Sequence, residues 1–60
     1  MDNVDFVYSY LQAKAALQNL HDAMLEDDFE TAQGAALLAL TETKLTLTAI
    51  KAMKEARERL

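Results

Sequence analysis

Across sixty residues the chain carries no proline and a single glycine, Gly34. Strand hairpins and long loops depend on those two residue types, so this chain has little with which to reverse direction between strands. Ala, Leu, Glu, Lys, Gln and Met, the strong helix formers, supply much of the rest. The expected fold class is all-α.

Phe6, Tyr10, Ala13, Leu17, Leu20 and Met24 recur at alternating steps of four and three, the pattern of a helix packed on another helix. A first helix is expected from about residue 3 to residue 26, capped by Asp2 or Asn3, with Asp5 placed where the helix dipole favours negative charge. Glu26, Asp27, Asp28 and Glu30 crowd four carboxylates into five positions, a poor helix end and a good helix start. The turn is placed at Asp27–Asp28, with Asp27 and Glu30 forming a capping box or Asp28 capping through Thr31. The competing placement is Gln33–Gly34, with Gly34 as the left-handed residue closing the first helix.

A second helix then runs from about 28 to 58. Phe29, Ala32, Ala36, Leu40, Thr43, Leu47 and Ile50 form one stripe on it, while Leu38, Leu45, Ala49, Ala52 and Ala56 lie nearly opposite. Together these positions cover roughly 200° of the helix, more than one neighbour hides. The run Thr41–Thr48 alternates with period two like a strand, but a lone strand would have nothing to pair with, and the segment is read as helix. The whole chain is expected to be one helical-hairpin domain, residues 1–60.

Folding as a single copy is a close contest. Burying roughly 60% of the unfolded surface, on the order of 5,800 Å², contributes roughly 85–90 kcal/mol if about 60% of it is apolar. Ordering the chain costs roughly 90 kcal/mol. Small domains escape this balance through disulfides, a structural metal or association, and there is no cysteine and only one histidine, His21. Association remains, and two hairpins dimerising into a four-helix bundle is the expected form.

Few groups here support chemistry. His21 is followed by Asp22, but the residue three before it is Gln18, so the Glu-x-x-His element of carboxylate-bridged metal bundles is missing, and His21 reads as a solvated boundary residue. The acidic turn lacks the spacing and glycine of a calcium loop. No phosphate-cradling glycine loop is present, and Ser9, the lone serine, belongs to no nucleophile–base set. No catalytic residue, cofactor or metal is expected.

The surface is more informative. On the first helix Val7, Tyr8, Leu11 and Leu25 lie off the main stripe, and on the second so do Leu38, Leu45, Ala49 and Ala52; these eight are the expected oligomer or partner surface. Self-association is favoured over a dedicated foreign partner, with another protein as the further partner. The alternative is a regulatory RNA- or DNA-binding dimer using Lys51, Lys54, Arg57 and Arg59. Phosphate binding draws on positive charge, however, and the net charge is −4. Basic residues in the last turns of a helix are accounted for by its dipole. Residues 1–30 hold seven acidic and one basic side chain and residues 31–60 three acidic and five basic, which suits an antiparallel hairpin. Met1 is followed by Asp2 and Asp5 rather than a basic signal-peptide start, and no apolar run approaches the 18 or so residues of a membrane span, so a cytoplasmic location is expected.

In size and helix plan the chain resembles the plasmid-replication modulator that forms an antiparallel dimer of helical hairpins and binds paired RNA loops; the likeness is one of architecture. The stretch Asp27–Ile50, DDFETAQGAALLALTETKLTLTAI, resembles the short helical accessory proteins encoded in the early region of lambdoid phages, between the exonuclease and excisionase genes. That resemblance implies a non-enzymatic factor made early in infection that acts on host regulation by binding proteins.

Overall fold

The computed structural model describes residues 6–59, and they form two antiparallel helices, α1 (Val7–Leu25) and α2 (Phe29–Glu58). The all-α hairpin expected from composition is the observed architecture. The Asp2, Asn3 and Asp5 capping expectations lie outside the described residues. Helix α1 opens at Val7 rather than near residue 3, with Phe6 at its N-cap: the Phe6 carbonyl accepts from the Tyr10 amide at 2.9 Å, but its side chain offers no cap.

The turn falls at Asp27–Asp28, and the alternative at Gly34 is excluded because Gly34 lies inside α2. Its backbone bonds explain how three residues suffice. The Asp28 amide reaches the Ala23 carbonyl at 2.9 Å and the Asp27 amide reaches Met24 at 3.2 Å, the paired bonds of a Schellman ending. Asp27 occupies the left-handed position with φ 59°, which aspartate tolerates better than most side chains. Capping follows the second of the two arrangements: the Asp28 carboxylate accepts from the Thr31 amide at 3.2 Å. Asp27 is committed to closing α1, so it is not available as a cap for α2.

The residues that meet between the helices differ from the sequence expectation. Among the described residues only Ser9, Ala13, Ala16, Ala23, Ala32 and Ala39 are buried, and nothing larger than alanine or serine is enclosed. The stripe read as the first helix's inward face is largely exposed: Leu17 remains 54% accessible, and Tyr10 and Met24 are also open. Half-buried Leu20 is its one large member at the contact. The α1 seam runs Ser9, Ala13, Ala16, Leu20, Ala23 and the α2 seam Ala32, Ala35, Ala39, Glu42, Thr46, Ala49, each in strict alternation of three and four. The physical reason begins at the neck, where a three-residue turn sets Ala23 and Ala32 against each other; bulky residues there would force the axes apart. Small side chains at every later level let the helices keep that approach.

One polar bond fixes the register. Ser9 Oγ lies 2.8 Å from Thr46 Oγ1 across the seam, and Thr46 Oγ1 in turn reaches the Glu42 carbonyl at 2.9 Å. Ser9 Oγ also reaches the Phe6 carbonyl at 3.2 Å, so each hydroxyl is tied to its own helix and either one can supply the proton across the seam. Residues whose numbers sum to 55 therefore lie level: Ser9 with Thr46, Ala16 with Ala39, Ala23 with Ala32. The threonines that gave the 41–48 run its strand-like look are absorbed into α2, where Thr43, Thr46 and Thr48 each donate to the carbonyl four residues back.

Candidate association surface

A narrow seam leaves the large apolar side chains on its shoulders. Helical spacing from the seam places Phe6, Tyr10, Leu17 and Met24 of α1 on the same side of the hairpin as Phe29, Leu40, Leu47 and Ile50 of α2. Open hollows along that side join the two sets: Phe6 with Ile50 and Met53 at one end, Tyr10 and Leu17 with Thr43 in the middle, Met24 with Phe29 at the neck. All eight of these large residues are exposed in the single chain. This is the broad face of the molecule.

Five buried alanine methyls contribute roughly 4 kcal/mol at about 0.8 kcal/mol each. Fully burying one large apolar side chain contributes about 1.5–3 kcal/mol. The eight side chains of the broad face keep 38–61% of their area exposed, so roughly half of their burial energy, still more than the seam supplies, is unrealised while the face meets water.

The expected partner residues are dispersed rather than gathered. Leu38, Leu45 and Ala52 are exposed on the flank of α2 opposite the broad face, with Tyr8 of α1 on the same side. Half-buried Ala49 belongs to the seam edge, and exposed Val7, Leu11 and Leu25 stand on the back of α1, away from α2. That flank is otherwise polar. Asp22, Glu26, Asp28 and Thr31 line its hollow beside Gly34 and Leu38. Glu42 Oε1 is buried beside the seam without a hydrogen-bond partner among the described residues, an acceptor that costs stability where it sits. The signal that would have found the broad face was the run of small residues at seam spacing, which turns the large stripe outward.

The basic residues named for the alternative reading, Lys51, Lys54, Arg57 and Arg59, occupy the final turns of α2. Lys54 pairs with Glu58 at 3.8 Å in the open. Arg57 is the cation of the last turn, where the dipole favours it, and the Arg59 amide closes α2 onto the Glu55 carbonyl at 3.2 Å. His21 Nδ1 stands 3.8 Å from Asp22 Oδ1, both exposed, and Gln18 Nε2 donates to the same oxygen at 3.1 Å. Among the described residues no three His, Asp or Glu side chains converge as a metal ion would require. No helix of the described residues is long and apolar enough to cross a membrane.

No family model, curated protein or solved structure matches the chain.

Proposed function

We propose that this chain is a small non-enzymatic interaction protein that works as a homo-oligomer and acts by binding another protein. One observation carries the reading: eight large apolar side chains stand exposed on one side of a hairpin whose own core is built of alanine and serine. Large apolar side chains gathered on one side of a small hairpin mark a surface meant to be covered. The likeness of Asp27–Ile50 to the early accessory proteins of lambdoid phages supports the same reading, a factor that engages host regulatory proteins in the cytoplasm. Nucleic-acid binding is the weaker alternative because the overall charge is −4 and the basic end of α2 also carries Glu55 and Glu58.

Light scattering on the pure protein across a range of concentrations tests the oligomer. The expected mass is at least twice the 6.7 kDa of one chain, with a melting temperature that rises with concentration. A monomer of full cooperative stability at every concentration would refute the reading.

A further inference from the structure

We propose that the occupant of the broad face is a second copy of the chain, laid face to face with its turn over the open end of the first, about a two-fold axis crossing the helices at the level of Ala15 and Leu40. This deepens the homo-oligomer reading and rests on it.

The first argument is the order of side chains along the face. Phe6 and Met24 stand nine residues on either side of Ala15. On α2 Phe29 lies eleven residues before Leu40 and Ile50 ten after it. Ala15 and Leu40 sum to 55, so the register set by the Ser9–Thr46 bond puts both centres at one level. A face that carries large apolar side chains at matching distances towards its two ends can meet its own copy turned end for end. In that arrangement α1 lies on the partner's α1 and α2 on the partner's α2, each pair antiparallel, and the residue at the axis meets itself.

Charge selects the same sense. The turn end carries Asp22, Glu26, Asp27, Asp28 and Glu30, while the open end carries Lys51, Lys54, Arg57 and Arg59 against Glu55 and Glu58. Stacking turn on turn would bring ten carboxylates together. Turn on open end instead sets Lys51, eleven residues beyond Leu40, over the copy's Glu30, ten residues before it. Such attractions act within the roughly 8 Å screening length of physiological salt, so what matters is which ends touch.

Area is sufficient. The hairpin is 15 Å wide, and two copies centred on Leu40 overlap from the turn of one to about residue 52 of the other, roughly 36 Å at about 1.5 Å per residue. The pair therefore buries roughly 1,100 Å² in total, above the roughly 1,000 Å² a specific interface needs.

Because the natural chain has no cysteine, single-cysteine variants report the geometry directly under mild oxidation. Leu40→Cys is expected to link to itself, and an equimolar mixture of Phe29→Cys and Ile50→Cys to give the mixed disulfide. Phe29→Cys mixed with Met24→Cys is expected to give none, since that pair meets only when turns stack on turns. Light scattering on the natural chain runs beside these. A two-chain mass with the Phe29–Met24 link, or without a Leu40 self-link, would overturn the end-for-end dimer while leaving self-association intact. A mass of one chain would overturn both, and a mass above two chains would overturn the closed pair.

Discussion

The two flanks of the seam are built from the same two helices and differ in almost everything else. On the broad face the seam is bordered by Phe6, Tyr10, Leu17, Leu40, Leu47 and Ile50; on the other it is bordered by Asp22, Glu26, Thr31 and Glu42, relieved by Leu38 and Leu45. The seam between them is mostly alanine, with Leu20, Glu42 and Thr46 as its larger members. In a hairpin this thin, then, holding two helices together and presenting a surface are separate tasks assigned to separate side chains. The small residues do the first, and the asymmetry of the large ones does the second.

The comparison breaks most visibly if a charge is set on each flank in turn. Leu17→Glu is expected to reduce the mass to one chain and to lower stability by several kcal/mol, because an unpaired carboxylate would have to be desolvated between the copies and the stabilisation from association is lost with it. Leu45→Glu, at the same 54% exposure in the single chain, is expected to leave the mass unchanged and to shift stability within about 0.5 kcal/mol. Equal loss of mass in both variants, read by light scattering, would show that the flanks are equivalent.

The seam is tested next. Ala16, only 1% exposed, should reject a larger side chain, and Ala16→Leu is expected to cost about 1–3 kcal/mol in chemical denaturation as the helices are pushed apart. Ala15→Leu, one residue away and pointing outward, serves as the control and should cost little. At the turn, Asp28→Ala removes the bond to the Thr31 amide and is expected to lower the thermal midpoint by an amount equivalent to about 1 kcal/mol. The smallest effect is a gain. Gly34 sits in the interior of α2 with nothing within 4 Å of an added Cβ, so Gly34→Ala should stabilise by roughly 0.5–1 kcal/mol without altering the mass, which marks the polar flank as open space.

Much of the fold was legible in particular residues. The lack of proline forecast two uninterrupted helices, the carboxylates at 26–30 located the turn, and Asp28 with Thr31 was one of the two caps weighed there. The inward face was not legible, for a definite reason. Hydrophobic periodicity weights large side chains, and Tyr10, Leu17 and Met24 make a better stripe than Ser9, Ala16 and Ala23. Alanine also occurs on every side of both helices, Ala15 and Ala52 as well as Ala16 and Ala39, so its presence alone marks no face. Glu42 and Thr46 lie among the α2 seam positions and further obscure the line. The expected partner surface was chosen as what that stripe left over. Residues assigned to the hairpin core proved to be the exposed ones, and the eight chosen for association fell on the polar flank, the seam edge and the back of α1.

Taken alone, the order of amino acids determined that this chain is helical, that it reverses once, and where it does so, because propensity, capping and the left-handed Asp27 act over four or five neighbouring residues. Which stripe of each helix would be hidden was decided only when the helices met. Close approach at a three-residue neck admits small side chains and excludes large ones, and that steric selection acts between residues 37 positions apart, as Ser9 and Thr46 are, where no local pattern registers it.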